Sequence, residues 1–223
     1  MATPLTVALA TPVQLLVLIG GGEFSFGETR AIDEFLVSQL PPDRRTIAFL
    51  PTASGSAEYA LHIGKYFREI DPTVETINVP VYRGRDNRRQ KNLDSILSAG
   101  MIYLGGGVAT NLLDTLRESP AEIALRDAAQ NGAVIAAIGA AASCFGVRVS
   151  TAREGLHWIA RTAIDTGFSE ANDVALRRLM SSADVDTGIG VPPRVALAVR
   201  HDGSTSILGD GRIAVFRKSS SGL

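Results

Sequence analysis

The chain has 223 residues, 45% hydrophobic and 20% charged, which supplies enough apolar material for one packed domain and excludes a disordered chain. Lys and Arg number 22 against 23 Asp and Glu, so a net charge of −1 offers no global field for nucleic acid or an anionic membrane surface. The single cysteine, Cys144, excludes an intramolecular disulfide and a cysteine-built zinc cage, and His62, His157 and His201 lack metal-ligand spacing, so neither metal nor cofactor is expected.

Residues 1–14 read as an N-terminal extension, 15–217 as a single α/β domain and 218–223 as a loose tail. Residues 1–19 are mostly apolar, but the first basic residue is Arg30, so the charged region of a signal peptide is missing, and the cytoplasm is the expected compartment. Leu15–Ile19 reads as a strand, too short to cross a membrane, and Gly27–Leu40 as a helix with Ile32, Phe35, Leu36 and Leu40 on one face. A strand over Thr46–Leu50, a helix over Ser56–Ile70 and a strand over Val74–Val81 follow. The run Arg83–Lys91 reads either as a solvated loop or as a contact for an anion or partner. A short helix over Leu93–Leu97 precedes a strand over Met101–Leu104. Helices over Asn111–Arg117 and Pro120–Gln130, the second opened by its proline, lead to a strand over Ala133–Ile138. Beyond Gly188, Val195–Val199, Ser206–Leu208 and Ile213–Phe216 read as antiparallel strands joined by turns at Asp202-Gly203 and Asp210-Gly211. Strands alternating with helices predict a three-layer sandwich around a mainly parallel sheet, with these antiparallel strands at its C-terminal end.

Ligands of such sheets bind at the carboxyl ends of strands. Three of the predicted ends are rich in small residues: Gly20-Gly21-Gly22-Glu23, Gly105-Gly106-Gly107 and Gly139-Ala140-Ala141-Ala142. Their exposed N–H groups suit an oxyanion or phosphate, but no Gly-Lys-Ser/Thr follows for a phosphate loop, and Ser25 replaces the third glycine of a dinucleotide fingerprint. A nucleophile elbow needs small residues two before and two after its centre. Position 139 meets that rule but carries glycine; Cys144, between Ala142 and Gly146, meets it with a thiol, six residues past the strand.

These pieces, with Leu50-Pro51-Thr52-Ala53-Ser54, Glu154-Gly155-Leu156, Ile164–Ser169 and Gly188-Ile189-Gly190, resemble the dipeptidase E and cyanophycinase family of serine peptidases, a branch of the class I glutamine amidotransferase-like fold. The resemblance runs from Leu15 to about Phe216. It implies that the family's nucleophilic serine falls on Gly139 and its histidine on Gly167, within Ile164-Asp165-Thr166-Gly167-Phe168. It further implies that the acidic residue survives as Glu154, and that the turn Gly105–Gly107, chiefly Gly106 and Gly107, forms an oxyanion hole with the N–H of Ala140. Val108 stands where the family has a polar residue after that turn, and Val191–Arg194 follow Gly190 without the usual acid.

Acyl transfer needs a nucleophile, a base and a group that orients the base, and glycine at 139 and 167 removes the first two. One reading is a catalytically silent homologue, a binding, regulatory or oligomeric module whose pocket at Gly107, Gly139 and Glu154 holds a small peptide or anion through backbone N–H groups. A second is an active peptide or amide hydrolase in which Cys144 or Ser143 attacks, His157 is the base and Glu154 orients it. That reading requires an exposed Cys144 with a lowered pKa. A third is an ordinary active member whose serine and histidine converge from outside the matching motifs. His157 and Trp158 read otherwise as a surface or satisfied core histidine and a packing residue, and a homo-oligomer is compatible with the fold.

Overall fold

The structure is a computed structural model and describes residues 5–56 and 58–219. Its main sheet is built on β1 (Leu15–Ile19), β2 (Thr46–Leu50), β3 (Glu75–Asn78), β4 (Met101–Leu104) and β5 (Val134–Ile138), all parallel, in the order β3-β2-β4-β5-β1. β8 (Val195–Arg200) pairs antiparallel with β1, and β9 (Thr205–Gly209) pairs antiparallel with β8 across the Asp202-Gly203 turn.

Both faces of the sheet are covered, which is why its central strands are apolar at every position. Alternate residues face opposite ways. Leu15, Val17, Ile19, Ile47, Phe49, Met101 and Tyr103 share one core with Ile32 and Leu36 of α1 (Arg30–Ser38) and Ile63 and Phe67 of α2 (Glu58–Ile70). Leu16, Leu18, Ala48, Leu50, Ile102 and Leu104 share the other with Ile96 of α3 (Gln90–Ser98), Leu112 and Leu116 of α4 (Ala109–Leu116) and Leu125 of α5 (Pro120–Gln130). The α5 start is built as its proline suggests: Ser119 Oγ accepts the Glu122 N–H, and Glu122 returns a carboxylate oxygen to the Glu118 N–H.

A second sheet of three strands holds β6 (Thr162–Thr166), β7 (Thr187–Val191) and β10 (Ala214–Arg217), with α7 (Val174–Met180) against it. β6 and β7 are parallel, and β10 runs antiparallel to β7. This corrects the expectation that Ile213–Phe216 continues the hairpin of β8 and β9: Phe216 instead packs edge-on to Phe168, at 6.3 Å between ring centroids, so the last strand leaves the main sheet. The expected strand over Val74–Val81 stops at Asn78, just short of Pro80, which has no N–H to donate to a ladder. The Arg83–Lys91 run is not simply a solvated loop: it holds a 3-10 turn at Asp86–Arg88, with Asp86 and Asn87 buried, and enters α3 at Gln90.

The N-terminal stretch lies on the domain, where the Val7 N–H donates to Gly203 O, the Ala10 N–H to Trp158 O and the Ala160 N–H to Ala8 O. Lys218, expected in a loose tail, is tied by its N–H to Asp186 O and by its ammonium to Ser182 O; the rest of that expectation beyond Ser219 lies outside the described residues. Among the described residues no helix is long and apolar enough to cross a membrane.

Candidate active-site cleft

The carboxyl ends of β1, β2, β4 and β5 open into one cleft, where the topology of a parallel sheet places its ligands. A cavity of about 520 Å³ there is lined by Gly21 and Gly22 after β1, Ser54 after β2, Gly105–Gly107 after β4, Gly139 after β5, and Tyr59 and His62 from α2. A second, of about 490 Å³, also reaches Gly107 and Gly139 and adds Ala140, Ser143, Ser150, Asp165 and Gly167.

Gly139 is the sharpest point of this cleft. It links β5 to α6 (Ala140–Ser143) with φ 58° and ψ −131°, a conformation that strains any residue with a Cβ. A strand that turns abruptly into a helix through such a residue has the geometry of a nucleophile elbow. Among the described residues a Cβ on Gly139 would meet no heavy atom within 4 Å, so the side-chain position is open. Gly167, at the end of β6, likewise has a positive φ of 67° and open space at its Cβ. Two neighbouring carbonyls hold the pair together: the Gly139 N–H donates to Ile19 O at 2.9 Å, and the Gly167 N–H to Gly20 O at 2.8 Å. The end of β1 thus joins the main sheet's elbow to the second sheet.

The turn after β4 is locked from behind. The Gly105 N–H donates to Leu50 O and the Val108 N–H to Ala53 O, which leaves the N–H groups of Gly106 and Gly107 without a partner among the described residues. The same holds for the N–H of Ala140 at the start of α6. Gly106 lines the first cavity, Ala140 the second and Gly107 both.

The alternative catalytic groups do not assemble there. Cys144 has no exposed surface, and its Sγ–H donates to Ala140 O at 3.2 Å and Ala109 O at 3.8 Å. Burial pushes its thiol up to about 12, the reverse of the exposed, acidic thiol expected of a nucleophile. Ser143 does line the cleft, but its hydroxyl donates to Ala140 O at 2.8 Å. His157 is exposed on the loop before β6, donates its N–H to Gly146 O, and lines neither cavity. Glu154 is in neither of the two cavity linings, and its carboxylate pairs with Arg117, at the end of α4. Trp158 is fully buried, edge-on to Phe145 at 5.0 Å between ring centroids, as a packing residue.

Two cleft residues went unassigned in the sequence. Asp165 stands two residues before Gly167 inside a quoted motif, and its half-burial raises its carboxyl above the usual range. His62 reaches the cleft from α2, and only the packing of α2 beside β3 brings it there.

A family model described as peptidase family S51 matches residues 16–166, more than half of the chain. The uncharacterized peptidase YgaJ of Bacillus subtilis (strain 168) is 31% identical over 133 residues, 58% of this chain and 55% of that protein. The chain therefore matches about half the length of this relative. A crystal structure of a peptidase from an acI-B1 Actinobacterium superposes with a TM-score of 0.78, covering 94% of this chain and 93% of that one at 21% identity, a likeness of fold.

Proposed function

Since the chain belongs to peptidase family S51, the dipeptidase E family, we propose that it keeps the peptidase cleft as a binding site for a short peptide or small anion and does not hydrolyse it. One observation carries this reading: Gly139 holds the strained backbone of a nucleophile elbow at the mouth of the cleft and brings no hydroxyl or thiol to it.

The chemistry follows from what remains. The unpartnered N–H groups of Gly106, Gly107 and Ala140 donate to a carboxylate or a peptide carbonyl, since backbone donors already held in place bind such an oxygen with little reorganisation. With no base at 167 and no attacking atom at 139, the donors polarise a carbonyl that nothing attacks. Residual acceleration from such a hole alone is roughly 10³–10⁴ over uncatalysed hydrolysis, far below the turnover of a working peptidase. The buried thiol of Cys144 and the exposed His157, which lines neither cavity, speak against a rebuilt cysteine or serine triad. The cytoplasm remains the proposed compartment, on the single thiol, which Cys144 keeps free and buried.

The test is hydrolysis of a panel of dipeptides and glutamine amides by the purified chain, beside Gly139→Ser, Gly167→His and the double variant, with peptide binding followed by calorimetry. The expected result is saturable peptide binding without turnover in the natural sequence, and turnover only in the double variant. Turnover by the natural sequence that survives removal of trace contaminants overturns the reading.

A further inference from the structure

The basic segment Arg83–Arg89 has no part in the cleft, yet it is built as carefully. Asp86, buried at its centre, accepts the N–H groups of Tyr82 at 3.3 Å and Arg83 at 3.1 Å on one carboxylate oxygen. The buried Asn87 anchors the turn by donating to Thr115 O at 2.6 Å, and Asn92 Nδ2 donates to Asp86 O at 3.0 Å. On this rigid base Arg83, Arg85 and Arg89 are exposed at the surface and line one recess of about 460 Å³ with Tyr82 and Gly55. Gly55 is the middle of the Ser54–Ser56 loop, whose other two residues line the cleft, so a single loop separates recess and cleft.

The charges there do not balance. Three guanidinium groups face one carboxylate, that of Asp86, which lies 3.4 Å from Arg89 Nε and 4.0 Å from Arg85 Nε. Arg83 makes no ion pair among the described residues. The lining therefore carries an excess of two positive charges. The Tyr82 hydroxyl oxygen accepts from Asn78 Nδ2 at 3.4 Å and keeps its own proton to donate.

We propose that this recess binds the dianionic phosphate of a small phosphate monoester. Guanidinium forks match phosphate oxygens, and a dianion meets the excess charge where a single carboxylate would leave half of it uncompensated. The volume exceeds that of a bare phosphate ion and leaves room for an esterified carbon skeleton. Because Asp86 and Asn87 already hold the turn, its backbone needs little further ordering on binding, and the cost that remains is that of the arginine side chains.

The probes are glycerol phosphate, inorganic phosphate and acetate, each titrated by calorimetry at matched ionic strength into the natural sequence, R83Q, R83Q/R89Q and R200Q. Arg83 has no ion-pair partner to lose, so R83Q isolates the recess from stability, and Arg200 is an exposed arginine on β8, away from it. The expected result at about pH 7.5 is saturable binding of glycerol phosphate, weakened at least about tenfold by R83Q and by R83Q/R89Q and unchanged by R200Q, with acetate at least about tenfold weaker. Binding should also weaken toward about pH 5.5, where the second phosphate oxygen takes up a proton. Equal loss in R200Q, acetate binding as tight as phosphate, or no saturable heat overturns the proposal, and equal affinity for inorganic phosphate and glycerol phosphate overturns its monoester form.

Discussion

At Gly107 a Cβ would lie 2.6 Å from the amide nitrogen of Ser54 and collide with the carbonyl of Ala53, whereas at Gly139, which lines the same cleft, it would touch nothing within 4 Å among the described residues. Gly20 resembles Gly107, with the carbonyl oxygens of Val191 and Pro192 in the place of a side chain, and Gly167 resembles Gly139. The first pair are glycines because the backbone behind them leaves no room. The second pair keep a left-handed backbone in open space, where packing forbids nothing and strain alone opposes a side chain. The cleft thus holds glycines of two kinds, and at Gly139 and Gly167 it has open space that no side chain among the described residues fills.

The contrast breaks most visibly at Gly107. Gly107→Ala forces a methyl group into backbone that cannot retreat, and is expected to lower unfolding free energy by about 3 kcal/mol or more, read from the denaturant midpoint. Gly139→Ser should lose only about 1–2 kcal/mol, the strain of its backbone. A cost at 139 equal to that at 107 would show that the open side of the cleft is packed after all.

Beside Gly22, on the same cleft, the structure carries a pH dependence of similar size. A Cβ on Gly22 would rest 3.1 Å from Thr29 Cγ2, and the Thr29 hydroxyl donates at 2.6 Å to the buried carboxylate of Asp33, as the Tyr66 hydroxyl does at 2.8 Å. Burial pushes Asp33 up to about 6, against the pull of those two hydroxyls and of Arg30 and with a small push from Glu34. Its folded pKa lies above its unfolded value, so its contribution is present below about pH 4 and is lost as pH rises through about 6, a swing of about 3 kcal/mol. Stability of the natural sequence relative to Asp33→Asn should therefore fall between about pH 4 and pH 7, measured by urea unfolding across that range. A difference that stays flat with pH would mean that Asp33 does not titrate in the folded chain.

The smallest expected effect is at Glu154. Its pair with Arg117 is part-exposed, so Glu154→Gln should change stability by only about 0.5 kcal/mol and leave peptide binding at the cleft untouched. A loss of binding in that variant would place Glu154 in the binding site.

Much of this molecule can be read from its residues. β1, β2 and β4 run to the same ends in sequence and in structure, because strands covered on both faces are nearly continuous apolar runs, and each of these is closed by a glycine or a proline. The elbow position is legible from the small residues Ala137 and Ala141 around Gly139. β6, α7 and β7 are not: Thr162–Thr166 and Thr187–Val191 carry polar residues and glycines within a five-residue span, and they are strands because each supplies the other's ladder. β10 shows the same dependence, since its alternation fits either neighbour and only the contact with β7 decides between them.

A three-layer α/β fold, the glycine-rich strand ends and the glycines at 139 and 167 are legible in the residues themselves, since each of these is a matter of residue type and local spacing. Only long-range contacts bring Gly139 and Gly167 together across the end of β1, pair Arg117 with Glu154, bury Cys144 and gather three arginines around one recess. Those facts depend on which strand ends and loops become neighbours, and that is settled by long-range pairing and packing, which no local pattern encodes.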